Sequence, residues 1–148
     1  MRRGVLAAAA SLLVLGGCSG GLQVDTYPTE DGTELDCRSM IADTPQAVGG
    51  RAARRVADDV AAAWGDPPIV LRCGVEDPAA LTPASRCDMV ADVGWFTEEV
   101  AGGFLFTTIG RRFNVSVEVP DDYAPEADVL VDVAEVVQKH VPVEQPCV

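Results

Sequence analysis

Phe113-Asn114-Val115-Ser116-Val117-Glu118-Val119-Pro120 places an apolar side chain at every second position, with Asn114, Ser116 and Glu118 between them. Strand side chains alternate between two faces, so this run reads as a half-buried strand, ended by Pro120. Just upstream, Phe104 to Ile109 is a second strand, and Gly110-Arg111-Arg112 is short enough to make the two a hairpin. Downstream, Pro125 opens a helix running to about His140, with Leu130, Val133, Val137 and Val141 as its apolar stripe. Pro142 closes it. Further out, Met89 to Phe96 and Ile69 to Cys73 read as strands, and Glu34 to Asp43 as a short helix. Arg51 to Ala63 is alanine-rich, with Ala52, Val56, Val60 and Ala63 at helical spacing, so a second helix is expected there. Trp64-Gly65-Asp66-Pro67-Pro68 would stop it. The fold class is α+β: a mostly antiparallel sheet, a long C-terminal helix and one or two N-terminal helices.

The chain begins Met1-Arg2-Arg3, continues with an apolar run from Gly4 to Leu15, and then reads Leu15-Gly16-Gly17-Cys18. A short cationic start, a short apolar core and small residues at the cut form an export signal. A membrane-spanning helix needs about 20 apolar residues, more than this run supplies. Leu-Gly-Gly-Cys resembles the bacterial lipobox, in which a diacylglycerol is joined to the thiol and the chain is cut just before it. Residues 1–17 are thus expected to be a lipoprotein signal peptide and Cys18 the lipidation site. Ser19 to Thr33 is small and polar and reads as a flexible tether, so residues 18–33 link the anchor to a single domain over 34–148. The expected location is the extracytoplasmic face of the cell membrane.

Beyond Cys18, four cysteines remain: Cys37, Cys73, Cys87 and Cys147. An even set in a small exported domain reads as two disulfides. Three pairings are open, of which Cys73–Cys87 with Cys37–Cys147 is favoured, the first closing a proline-bearing loop and the second joining the domain's ends. No Cys-x-x-Cys pair is present and His140 is the only histidine, so neither metal nor cofactor is expected. Loss of Arg2 and Arg3 with the signal leaves nine basic residues against 23 acidic, a net charge of −14. A body so acidic is repelled by nucleic acid and by anionic lipid heads, which removes nucleic acid from the partners.

Trp64-Gly65-Asp66-Pro67-Pro68-Ile69-Val70-Leu71-Arg72-Cys73-Gly74-Val75, with Gly94-Trp95-Phe96 and Gly110-Arg111 further on, resembles the actinobacterial family of small secreted or lipid-anchored proteins called domain of unknown function 3515. The likeness covers about Cys37 to Val141. It implies an envelope location and a compact extracytoplasmic domain, and it brings no catalytic residues.

The same run holds the candidate ligand-binding residues. Trp64 could stack on a sugar ring while Asp66 and Arg72 bond its hydroxyls, with Trp95 as a further indole. The structural reading is favoured over this: Trp64 at the core edge, Asp66 at the turn, and Arg72 either pointing outward or paired with a carboxylate. Arg111, with Arg112, could hold an anion at a hairpin tip, although a solvated tip or a pairing with Asp121 or Asp122 is favoured. Arg51 and Arg55 would share a helical face and pair with Asp58 and Asp59. His140, beside Lys139, suits the C-terminal end of a helix. No serine lies in a Gly-x-Ser-x-Gly context. The function expected first is therefore a non-enzymatic envelope module that binds or positions another protein. A binder of cell-wall glycan or a small polar ligand comes second, and a carboxylate hydrolase third.

The anchor has a direct test. Cys18→Ala should move the chain out of the membrane fraction and remove the acyl mass. Retention in the membrane at an unchanged mass would refute it.

Overall fold

The computed structural model describes residues 20–147. The signal segment and Cys18 lie outside the described residues. After an extended N-terminal segment the elements are α1 (Glu34–Ala42), β1 (Ala47–Val48), β2 (Arg51–Arg54), β3 (Ala61–Trp64), β4 (Ile69–Val75), β5 (Asp88–Val90), β6 (Val93–Val100), β7 (Gly103–Thr108), β8 (Asn114–Pro120), a 3₁₀ turn (Asp121–Tyr123) and α2 (Glu126–His140). The strands form one sheet in the order β1-β2-β3-β4-β8-β7-β6-β5, every pair antiparallel. The α+β class with a long C-terminal helix is what the sequence led one to expect.

Register decides which side chains share a face. Leu71 pairs with Val117, Cys73 with Val115 and Phe106 with Val117, so these residues line one side of the sheet. Trp64, Ile69 and Trp95 belong to the same side. Both helices cover it. Val129, Leu130, Val133, Val136 and Val137 of α2 and Cys37 and Met40 of α1 join those strand residues in one apolar core. Glu126 and Asp128 in the first turn of α2, and Lys139 and His140 in its last, complement the helix dipole. Lys139 and His140 both meet Asp43 Oδ2, at 2.6 and 2.8 Å, which ties the C-terminal ends of α1 and α2 together. The hydrogen bond from Lys139, then that from His140, hold the Asp43 carboxyl below its ordinary range.

The expected helix over 51–63 is a correction. Its two ends are β2 and β3, separated by a loop in which Val60 N–H donates to Asp58. Helical spacing of alanines was outweighed by tertiary pairing. Ala61, Ala62 and Ala63 are all buried in a strand that lies between β2 and β4, where small side chains fit on both faces. The residues read as a helix stop are instead the β3–β4 turn, with Trp64 opposite Ile69. The stretch read as one strand over 89–96 is a hairpin: β5 turns at Ala91 and Asp92, both at positive φ, into β6.

The disulfide pairing is a second correction. Cys37 joins Cys73, with Cα atoms 5.4 Å apart, and Cys87 joins Cys147, at 6.1 Å. Sequence spacing suggested closing the proline loop, but that loop carries Cys87 to the β5 edge while Cys73 stays central in β4, beneath α1. Two glycines make room for these bridges. A Cβ on Gly94 would strike the sulfurs of Cys87 and Cys147. Gly74, at φ +74°, forms the bulge after Cys73, where a Cβ would meet Thr33 and Cys37.

Non-reducing peptide mapping should recover Cys37 linked to Cys73 and Cys87 linked to Cys147. The chain-entropy argument gives each bridge about 4 kcal/mol, so Cys37→Ala/Cys73→Ala should lower urea stability by roughly that amount. Peptides joining Cys73 to Cys87 would overturn the pairing.

Candidate functional site

The second face of the sheet carries Val70, Arg72, Ser116, Glu118, Leu105 and Thr107, as the register of β4, β8 and β7 requires. Alternation in β8 predicted solvent here, yet Asn114 and Ser116 are buried and Glu118 is half-buried. Part of the cover over this face is the segment expected to be a free tether. Leu22 N–H donates to the Arg55 carbonyl at 2.8 Å, and Ala57 N–H to the Leu22 carbonyl at 3.0 Å, which places Leu22 beside the strand edge that follows β2. Further along, Thr29 bridges Val75 and Glu30 N–H donates to Gly74 O. Between these points the chain crosses β3 and β4 as a strap.

Arg72 holds the strap. It is 6% exposed, and its Nε donates to Asp25 O at 2.9 Å while Nη1 meets Glu118 Oε2 at 3.0 Å. Its guanidinium lies over the Tyr27 ring, 4.1 Å from the centroid. The Tyr27 hydroxyl donates to the same Glu118 oxygen. Burial first, and then the neighbouring Glu118 carboxylate, raise the Tyr27 phenol above its ordinary value, which keeps it a donor. Of the alternatives read for Arg72, pairing with a carboxylate is what the structure has.

The other candidate residues do not converge with Arg72. Trp64 is 0% exposed, and its indole N–H donates to Pro45 O at 2.8 Å. Trp95 is also 0% exposed, on the helix-covered side. Neither indole floors a cleft. Asp66, its side chain 91% exposed, sits at the β3–β4 turn near Arg54. Arg111 is buried and donates to the carbonyls of Val141 and Asp92, and burial lowers its pKa. Arg112 pairs with Asp36 of α1 and lies over Phe113. The hairpin tip is therefore a structural joint, with neither Asp121 nor Asp122 as partner. Asp59 pairs with Arg38, away from Arg51 and Arg55.

Two clefts flank this face. One of about 330 Å³ lies between the strap at Gln23–Asp25, the β3–β4 turn at Pro67 and Pro68, and the β6–β7 turn at Gly102, with Arg72 and Glu118 in its wall. The larger, about 620 Å³, opens where β4 ends and β8 begins. Three loops wall it: 77–87, 109–114 and 144–147. The Cys87–Cys147 bridge joins the first to the last, and the amides of Glu144 and Gln145 both donate to Gly110 O, joining the last to the second. Asn114 donates to Asp77 across the base at 2.8 Å. Glu30, Asp77 and Glu144 give it an acidic lining opposed by Arg111 and Arg112. Sequence reading did not find this cleft, since its walls lie far apart in the chain. Cys87 and Cys147, correctly paired, would have been the signal.

The sequence pattern of DUF3515, a protein family of unknown function, matches residues 4–146, all but the two ends of the chain. The chain belongs to this family. No curated protein and no solved structure matches it. In this DUF3515 chain the Trp64–Val75 run proves to be the end of β3, the turn after it and β4, which supply the sheet's centre, a core indole, the Arg72 clasp and one half of a disulfide.

Removing one partner of a buried ion pair leaves the other unmatched. Arg72→Ala should therefore lower urea stability by about 2–3 kcal/mol, discounted because Glu118 keeps some solvent. Arg72→Lys should recover little of this, because an ammonium cannot reproduce the stacked fork. Amide exchange at Glu30 should accelerate in both. Exchange there at the wild-type rate would show that the clasp does not hold the strap.

Proposed function

We propose that this chain is a lipid-anchored envelope protein of an actinobacterium, displayed on the extracytoplasmic face of the cell membrane, whose domain binds or positions another envelope protein. The observation that carries the binding role is the larger cleft. Its loops come from three separate parts of the chain, and a disulfide and backbone hydrogen bonds fix them to one another on a rigid sheet. Binding residues are commonly held this way, on loops positioned by a scaffold. The cleft is open and carries both charges, which suits a loop or terminal segment of a protein. Leu-Gly-Gly-Cys18 and the cationic start support the anchor and the address. A glycan or small polar ligand is the competing occupant, and in this cleft it would bind without either indole.

Photo-crosslinking in cells separates these occupants. A photo-reactive residue at Gln145, on the cleft's rim, should capture one reproducible envelope protein. The same group at Asp66, on the β3–β4 turn, should not. Glycan fragments captured at Gln145 would transfer the proposal to the polar ligand. Equal capture at both positions, or none at Gln145, would overturn the cleft as the binding site.

A further inference from the structure

The cations of this acidic domain are unevenly committed. Arg38, Arg72, Arg86, Arg112 and Lys139 each meet a carboxylate, with Asp59, Glu118, Asp88, Asp36 and Asp43 as partners. Arg111 is buried against carbonyls. The rest are Arg51, Arg54 and Arg55, all exposed and all within or next to β2, and of these Arg54 also meets a carboxylate, that of the exposed Asp66. Arg51 lies over the Tyr123 ring, and Arg54 approaches Asp66 at 3.6 Å and donates to Gly65 O. Arg55 has no ion pair among the described residues. The nearby acids are Asp58 and Asp66, and Asp122, Asp128 and Asp132 line one cleft together with Arg51.

This is also where the N-terminal strap leaves the fold. Leu22 is hydrogen-bonded to Arg55 and Ala57, and Cys18 precedes it by four residues. Four residues reach at most about 14 Å when fully extended. A lipid on Cys18 therefore holds the arginine edge close to the bilayer, where a freely floating tether would not.

We propose that Arg51, Arg54 and Arg55 form a membrane-facing edge that binds the phosphates of anionic lipid headgroups and stands the domain edge-on to the bilayer. The proposal rests on the reading of Cys18 as the lipid-bearing residue. Guanidinium presents a planar fork of donors that matches phosphate oxygens. Attraction between exposed charges fades beyond roughly 10 Å at 0.1 M salt, so only a surface held close can use it. The acidity of the remaining domain strengthens the orientation. An anionic surface repels the acidic faces more than the region that holds three of the nine cations.

Arginine footprinting of the full lipidated chain tests this. The chain is reconstituted in vesicles of phosphatidylcholine alone, or with about a third phosphatidylglycerol, and treated with phenylglyoxal before mass spectrometry. Phosphatidylglycerol should slow modification of Arg54 and Arg55 severalfold relative to Arg86, which lies on the loop before the opposite edge. High salt should abolish the difference. Equal modification in both vesicles, with the acyl mass present, would overturn the proposal and leave the anchor standing. A chain without the acyl mass would overturn both, and the intact mass tells the two results apart.

Discussion

Arg72 is a guanidinium placed in the middle of a sheet, and a buried cation must find partners or the fold loses several kcal/mol. In this chain the partners come from two directions. Glu118 on the neighbouring strand supplies the countercharge, and the N-terminal strap supplies the Asp25 carbonyl and the Tyr27 ring. The requirement is mutual, because the strap has little apolar surface with which to hold itself down. Once seated, it and the cleft loops leave the second face of the sheet largely closed to water. That is why Ser116 and Asn114, polar residues in an alternating strand, lie buried. A one-sided sheet has become a sheet covered on both sides.

The other face is closed by apolar burial and fixed by covalent bonds. Cys37–Cys73 staples α1 onto β4, directly behind the strand that carries Arg72. The strap and α1 are consecutive in the chain, so the segment from Leu22 to Ala42 passes around the sheet and is held on both sides of β4. Cys87–Cys147 does the corresponding work at the far edge, binding the chain after α2 to the start of β5. Arg111 reinforces it by donating to the Val141 carbonyl from the β7–β8 connection. Neither end of the described domain is left loose, and the larger cleft keeps its shape because its walls are tied to one another.

Much of this was legible where local pattern and tertiary structure agree. The period-two run of β8 and the proline-bounded α2 could be read because their apolar spacing matches the face they bury, and α1 because Thr44-Pro45 marks its end. The alanine run over 51–63 misled because alanine is the best helix former and also the side chain that a strand crowded on both faces accepts. Pairing with β4 decided it, and no local signal reports such pairing. Cysteine connectivity failed for a related reason: loop length ranks the entropy of closure and says nothing of where the strands carry each thiol. At the site, strand alternation left Arg72 either pointing outward or paired with a carboxylate, and Glu118 on the neighbouring strand decides for the pair. Its second partner, a segment low in apolar residues, carried none of the periodicity by which docked segments are recognised. The two tryptophans drew attention as ligand platforms, yet large aromatic side chains are first of all core material.

The strap gives the domain a direction. A chain anchored through a long free tether would present every face to the membrane and to partners alike. Here Leu22 lies against the sheet beside β2, and six inter-strand steps separate β2 from β5 at the other edge. At about 4.8 Å for each step, that is nearly 30 Å across the pleat. Cys87, one end of the bridge that walls the larger cleft, immediately precedes β5. Arg51, Arg54 and Arg55 sit where the strap joins the sheet and the disulfide-bound loops at the distal edge. A single buried guanidinium, by seating the strap, thereby fixes where the N-terminal segment meets the sheet relative to the disulfide-bound loops. Loss of Arg72 would leave the core disulfide and helices in place while releasing that relation, so stability and the course of the N-terminal segment depend on the same contact.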